Sequence, residues 1–454
     1  MEFLIDILPL LMFGALIIGM FSGLPVAVVL AGVTFIFGLI AIALGQIDLA
    51  QAAILPNRVF GGSIQNQVLI AAPMFIFMGV LLEKSRLAED LLLTLQKLLR
   101  NVPGGLALAV TGLGTILAAA TGIVGASVVM LTVLALPTMI DRGYSPELAG
   151  GTVVSAGTLG ILIPPSVMLV FMGDILTINL AKLFVAALLP GLLLAAIYMI
   201  FIVVRATMNP SLAPRVPAMT AEEKKALWRD APVSFGFPLI LIIIVLGSIL
   251  GGVATPTEAA GVGALGALLL GLIRGRINFS VLGDAMDGSV RTLAMLFFIF
   301  VAATSFAYVF RVIGGEHFII ELALSLNMGD WGILFMLMAM IFALGFFFDW
   351  IEITLIMLPI VAPIVGLMDL GDHVAKSDMI YWFAVLMAVN LQTSFLTPPF
   401  GFALFYLKGA AGDQISMRQI YSGVVPFVLL QLLVLALIIW LPDLVLWLPN
   451  SVFQ

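Results

Sequence analysis

Residues Thr158 to Ser166 read TLGILIPPS, and they sit inside an apolar segment with no charged residue from Leu148 to Gly173. As one helix that segment would be about 39 Å long, against about 30 Å for the hydrocarbon core of a bilayer. Pro164 and Pro165 cannot continue a regular helix, because each lacks an N–H and its ring crowds the preceding turn. The helix must therefore break near mid-membrane. Unpaired backbone groups are tolerated there only where they line a cavity or hold a ligand. A second stretch, Gln392 to Phe400, reads QTSFLTPPF inside another apolar segment. Two matching proline-pair breaks point to a site built from broken helices rather than to a local kink.

Composition sets the surroundings. Of the 454 residues, 63% are hydrophobic and only 10% are charged, whereas soluble domains carry about 25% charged residues. The chain reads as an all-α polytopic membrane protein. It has no cysteine, which excludes disulfides and thiolate metal sites. His317 and His373 both fall between apolar segments, so no histidine-based site is expected inside the membrane. The N-terminus, MEFLIDILPLL, carries Glu2 and Asp6 and no basic residue; it reads as a first span rather than a cleaved signal.

In chain order, spans are expected at 3–21, 24–44 and 68–82. From Lys84 to Arg100 an amphipathic helix sets Leu87, Leu91, Leu95 and Leu98 on one face, as suits the membrane interface. Residues 101–140 hold no charge and centre on TGIVGAS; they form either two ordinary spans or a re-entrant hairpin, and both options return the chain to its starting side. Ser145-Pro146-Glu147 opens the first broken segment, 146–175. A span at 184–204 leads to a polar loop, 205–231, with a capped short helix at Thr220-Ala-Glu-Glu223. Spans follow at 237–249, from Thr255 to Ile273, and at 292–309; Thr255, Pro256 and Glu258 make a capping box with a proline at the first position. A second apolar unit, 332–368, centres on GFFFDWIEIT at 345–354. The second broken segment covers 379–407, and an apolar stretch at 424–448 closes the chain.

The order repeats: an uncharged unit with a polar centre, then a proline-broken segment. Five crossings separate the two units, and five is odd, so the second unit enters from the opposite side. That is an inverted-topology repeat, as in many secondary transporters. Charge agrees. With the helix at 84–100 on the cytoplasmic side, fifteen of the 19 Lys and Arg residues fall inside, and only Arg58, Lys182, Arg311 and Lys376 fall outside. Both termini are then expected outside.

Broken helices offer unwound carbonyls to Na⁺ and positive helix N-termini to a carboxylate. The first cation site is expected from the carbonyls of Gly160, Ile163 and Pro165 facing Thr121, Gly122 and Ser127; the second from Ser394, Thr397 and Phe400 facing Gly345. Close helix packing alone would also explain Gly122 and Gly125, and a mere kink would explain one proline pair. Thr121, Ser127, Ser166 and Thr393 are candidate substrate contacts. So are Asp349 and Glu352, which are costly at membrane depth.

The residues that carry a family resemblance are GILIPPS at 160–166, GVATPTEAAGVG at 252–263, FFDWIEI at 347–353 and NLQTSFLTPPFGFALFYLKG at 390–409. On these, over essentially its whole length, the chain resembles the large membrane subunit of TRAP (tripartite ATP-independent periplasmic) transporters. The resemblance implies a Na⁺-driven importer of carboxylate-bearing organic acids in a bacterial inner membrane, with two Na⁺ sites between hairpin tips and broken helices. It implies an elevator movement. Residues 101–208 and 313–454 would form the transport domain, 1–100 and 232–312 the scaffold, with a cytoplasmic loop at 209–231. It implies two partners, a periplasmic substrate-binding protein and a small four-span membrane subunit. Departures are the tip Thr121-Gly122-Ile123-Val124-Gly125 in place of a Ser-Gly-Ser-Gly run, and Ser394 where many relatives carry Gly. The form of residues 392–409 resembles the branch that includes 2-oxo acid, lactate and mannitol/chloroaromatic-type systems more than the sialic-acid branch. A stand-alone Na⁺/carboxylate symporter is the rival reading. An intramembrane enzyme would need a nucleophile–base pair or metal cluster that the spans do not supply, and nothing here resembles a channel's selectivity filter.

Overall fold

The computed structural model describes residues 2–66, 68–121, 123–214, 219–325 and 328–453. Those residues are all-helical: α1 (Glu2–Met20), α2 (Val26–Ala43), short α3 (Leu49–Ala52) and α4 (Ile54–Val59), α5 (Ala71–Lys84) and α6 (Leu87–Leu98). The first repeat is α7 (Gly105–Thr121), α8 (Val124–Asp141), α9 (Pro146–Thr158) and α10 (Val167–Ile175). Then come α11 (Leu180–Met208), α12 (Ala221–Ala231), α13 (Phe237–Leu250), α14 (Pro256–Ile273), α15 (Phe279–Val312) and α16 (Gly315–Ser325). The second repeat is α17 (Gly329–Leu344), α18 (Trp350–Leu367), α19 (Met379–Leu396) and α20 (Phe402–Ala411), and α21 (Met417–Trp440) and α22 (Asp443–Val452) follow it. Eight of these helices are long and apolar enough to cross a membrane.

The helix starts follow their caps. The Ser145 hydroxyl accepts from the Leu148 amide (3.2 Å), with Pro146 at the first position of α9. At α14 the Thr255 hydroxyl accepts from the Glu258 amide (3.3 Å) while Glu258 accepts from the Thr255 amide (2.7 Å), the full capping box. In the polar loop the Thr220 amide donates to Glu223 (2.8 Å) and holds that carboxyl below its usual range.

Segments 101–140 and 332–368 are both helical hairpins. Gly157, at the end of α9, lies against Val128, one turn past the first hairpin's tip. The tip thus stops at the level of the break, so the hairpin is re-entrant. The two repeats pack reciprocally. Helix α8 lies on α20 and α18 on α10, while α9 lies on α21 and α19 on α11. Exchanging the repeats preserves this pattern, as a pseudo-two-fold relation requires. The segments between the two hairpins are α9–α10, α11, α13, α14 and α15, in the expected order; of these α11, α14 and α15 are long and apolar enough to cross a membrane.

The α9–α21 contact is made backbone to backbone. A Cβ at Gly423 would overlap the Glu147 carbonyl, and one at Gly151 would overlap the Gly423 carbonyl. Between helices in lipid there is no hydrophobic drive, so close van der Waals approach at small residues supplies the attraction. Helix α6 does more than lie in the interface: Leu87, Leu91 and Leu95 are buried, and Asp90 sits between Arg274 (3.9 Å) and Arg276 (3.7 Å) beyond the end of α14.

Two expectations need correction. The stretch at 424–448 is not one span: α21 ends at Trp440, because Leu441 precedes Pro442 and is pushed out of the helical region (φ −121°, ψ 77°). The span expected at 292–309 is part of a helix that starts at Phe279, carried past the apolar core by an Asp287–Arg291 pair (2.8 Å) one turn apart. The polar segments at 46–65 and 311–330 hold the short helices α3, α4 and α16.

Replacing Gly423 by Ala should destabilise the purified protein by about 1–3 kcal/mol, because α9 and α21 must separate. Gly409→Ala, where a Cβ meets nothing, should leave it unchanged. Thermal unfolding followed by fluorescence-detected size exclusion reads the difference, and equal melting temperatures for the two variants would refute the contact.

Candidate functional site: two hairpin tips against two broken helices

In an α-helix the carbonyl of residue i accepts from the N–H of residue i+4. Pro164 and Pro165 therefore strip donors from the carbonyls of Gly160 and Ile161, and Pro398 and Pro399 strip them from Ser394 and Phe395. Both proline pairs are joined by a cis peptide bond. The Ser166 hydroxyl fills one vacancy, donating to the Ile161 carbonyl at 2.7 Å. The carbonyls of Gly160, Ile163 and Pro165 receive no donor among the described residues. The amides of Val167, Met168 and Leu169, the buried first turn of α10, likewise find no acceptor among them. The first break thus presents oxygens on one side and N–H groups on the other within a few residues.

The second break resolves its vacancies differently. Phe400 stands where the first break has Ser166, so no hydroxyl reaches the Phe395 carbonyl, which has no donor among the described residues. The Ser394 carbonyl accepts from the Thr397 amide (3.1 Å) and the Thr397 carbonyl from the Gly401 amide (3.0 Å); each keeps a second lone pair. The Phe400 carbonyl has no donor among the described residues, and the Phe400 side chain is 51% exposed.

Each tip is seated at a break. A Cβ at Gly345 would overlap the Ser394 hydroxyl, so the second tip lies directly on the second break. The Asn390 side chain fastens the same pair of elements by donating to the Met338 carbonyl (2.8 Å). The first tip reaches across to the other repeat, where Gly125 lies against the Tyr406 ring of α20 (2.9 Å for an added Cβ). At the centre the two broken helices touch through the Gln392 amide, which donates to the Thr158 hydroxyl (3.3 Å). Gln392 Oε1 and the Ser155 hydroxyl are buried in that core without a partner among the described residues.

The expected site residues divide. Gly345 and Ser394 are brought together. Gly122 and the side chain of Thr121 lie outside the described residues. Ser127 is buried at the start of α8 with its hydroxyl on the Ile123 carbonyl (3.0 Å). Ser166 and Thr393 are fully buried with hydroxyls engaged to the Ile161 and Val389 carbonyls. The Thr397 hydroxyl back-bonds to the Thr393 carbonyl (2.8 Å). Asp349 and Glu352 form a capping box on α18: Asp349 is the N-cap residue, its carboxylate accepts from the Trp350 amide (2.7 Å), and Glu352 accepts from the Asp349 amide (3.3 Å). This gives both acids a structural occupation, and the Asp-Trp-Ile-Glu spacing was the signal for it. Among the described residues no cluster of His, Cys, Asp and Glu could hold a metal; oxygen ligands at these breaks would have to come mainly from the backbone.

Two re-entrant hairpins tipped against two broken helices, in reciprocal repeats, define a secondary transporter. The comparisons give the family. Residues 13–444 match the family described as tripartite ATP-independent periplasmic transporter, DctM component, and the chain belongs to that family. It is 31% identical over 391 residues to the C4-dicarboxylate TRAP transporter large permease protein DctM of Pseudomonas aeruginosa, covering 85% of this chain and 87% of the relative. It is 30% identical over 440 residues to the isethionate TRAP transporter permease protein DctMQ of Oleidesulfovibrio alaskensis, covering 96% of this chain but 66% of that longer one. The crystal structure of the Alcanivorax borkumensis YdaH transporter superposes with a TM-score of 0.61 at 14% identity, over 87% of this chain and 88% of that one, a likeness of fold.

Two variant series test the site. Gly345→Ala should sharply lower transport, and Gly345→Ala with Ser394→Gly should recover much of it, since the second change removes the hydroxyl that the new methyl meets. Lack of any recovery would refute the seating of the tip on the break. Asp349→Asn, a good N-cap, should retain transport, while Asp349→Ala should lose about 1 kcal/mol of stability. A dead but well-folded Asp349→Asn protein would show a chemical role that capping does not explain.

Proposed function

We propose that this large permease imports an organic acid by Na⁺-coupled secondary transport, in an elevator movement, with the acid delivered by a periplasmic binding protein. The observation that carries the reading is the pair of breaks. Carbonyls of Gly160, Ile163 and Pro165 at one, and of Phe395 and Phe400 at the other, lack protein donors beside a hairpin tip. Na⁺ takes oxygen ligands, and in hydrocarbon such carbonyls are stable only with a partner. Phe395 replaces Ser394 and Thr397 as the foremost second-site carbonyl, because those two already accept amides.

In this reading 101–208 and 313–454 move together against 1–100 and 232–312. Each group has internal packing of its own. Within the first group α9 lies on α21 and α11 on α22, while within the second α14 lies on α5 and α15 on α2. The Lys182–Asp378 ion pair (2.8 Å), with Asn450 donating to the second Asp378 oxygen (2.9 Å), ties the two halves of the first group. A small membrane subunit would complete the second group. Both termini would face the periplasm in a bacterial inner membrane. The relatives are named for C4-dicarboxylates, isethionate and, at 28% identity in Ruegeria pomeroyi, ectoine and 5-hydroxyectoine. Their similar identities give no ground for choosing among these, and a 2-oxo acid or lactate remains the first substrate to try.

Proteoliposomes holding the chain and its small subunit should take up labelled lactate or succinate only with an inward Na⁺ gradient and the loaded binding protein. Uptake on Na⁺ alone would favour a stand-alone symporter. Uptake that tracks a proton gradient and ignores Na⁺ would overturn the carbonyl sites.

A further inference from the structure

A cavity of about 340 Å³ lies away from both breaks, between α4, α10, α15 and α18. Its chemistry is that of an anion site. One wall is a stripe of α15 in which Thr304, Tyr308 and Arg311 recur at helical spacing. Arg58 of α4 reaches in from the opposite side, its guanidinium 5.2 Å from the centre of the Tyr308 ring. The Tyr308 hydroxyl donates to the Gln51 carbonyl (2.8 Å), which pins the segment carrying Arg58 onto α15. No acidic group pairs with Arg58 among the described residues. Arg311 pairs with Glu316 at 3.1 Å, but both side chains are open to water, and such a pair is weak and readily exchanged. Glu316 also shows that a carboxylate fits the Arg311 fork. The one acid in the cavity wall, Asp174, is turned to the Asn66 amide.

Sidedness makes this more than a pair of surface cations. Only four of the 19 Lys and Arg residues are expected on the outer side, and two of them line this one cavity. The cavity also spans the groups proposed to move against each other: α4 and α15 on one side, the end of α10 and Leu355 and Pro359 of α18 on the other.

We propose that this cavity is a reception site for the carboxylate of an organic acid arriving from the periplasm, held by Arg58 and by Arg311 exchanging Glu316 for it. The proposal rests on the import reading above for its ligand. An anion here would touch both bodies before it reaches the breaks, which places a charge check at the first step of passage.

Two measurements test it. In phosphatidylcholine nanodiscs, where no anionic headgroup competes, phenylglyoxal labelling of Arg58 is followed by mass spectrometry, with exposed Arg291 as reference. Lactate or succinate at several times its Kd should slow labelling of Arg58 about fivefold and leave Arg291 unchanged, and chloride at equal ionic strength should slow neither. Equal protection by chloride, or none by either acid, overturns the site. In proteoliposomes, Arg58→Gln should raise the apparent KM about tenfold with the maximal rate within about twofold, and Arg58→Lys should recover part of the loss. An unchanged KM in Arg58→Gln overturns the proposal. Failure of the wild-type protein to import any organic acid would overturn the import reading instead, and the labelling result then decides the cavity by itself.

Discussion

The structure depends on four missing hydrogen-bond donors. In a soluble protein a proline pair inside a helix makes a kink, and water satisfies the carbonyls that lose their partners. In hydrocarbon there is no water to do so. Each vacancy must be filled by the protein or by a ligand, and the two breaks divide the work differently. At the first break the Ser166 hydroxyl takes the Ile161 carbonyl and leaves Gly160 open. At the second, Phe400 has no hydroxyl to offer and the Phe395 carbonyl stays open. The rest of the transport machinery is arranged around making those openings safe. Hairpins reach in to cover the breaks, glycine takes the second tip where Ser394 leaves no room for a methyl, and caps hold the hairpin arms where an unsatisfied helix start would be most costly.

Most of this architecture is written plainly in the sequence because prolines and charges report it directly. The proline pairs locate the breaks, and the uncharged runs locate the hairpins. What stayed hidden has identifiable causes. The apolar run through Val424–Leu448 conceals a helix end, since Leu441-Pro442 changes the backbone without changing hydropathy. The hairpin at 101–140 could not be told from two spans, because only the contact between Gly157 and Val128 sets the depth of its tip. Donor accounting could have improved the second site, since Pro399 removes the partner of Phe395 by counting alone.

Asp349 and Glu352 show how one pattern acquires two readings. Thr255-Pro-Thr-Glu258 and Asp349-Trp-Ile-Glu352 share a cap residue with a carboxylate three positions later, and both form capping boxes. The first lies at a water-facing helix start, where a cap is the ordinary explanation. The second lies inside an apolar unit, where acids invite a functional one. The physical reconciliation is that a re-entrant hairpin has a helix N-terminus at depth. The amides there need acceptors more than amides at a surface do, so an acidic cap is stabilising even where a free carboxylate would be costly.

The same electrostatic economy bears on the four cations expected on the outer side. An orientation that keeps positive charge on the cytoplasmic side leaves few arginines elsewhere. Of those few, Lys182 is committed to Asp378, whose second oxygen accepts from Asn450, and the three join the start of α11 to α19 and α22. Among the described residues Arg58 has only an aromatic face for a partner, and Arg311 only an exposed carboxylate. A cation held beside a cavity without a committed counter-ion is most easily understood if the counter-ion arrives from outside. The breaks offer the complementary condition, carbonyl oxygens without a donor among the described residues, which the proposed Na⁺ sites would use. In both places the chain leaves a charge or a dipole incomplete, and under the import reading proposed above a carboxylate and a cation would complete them.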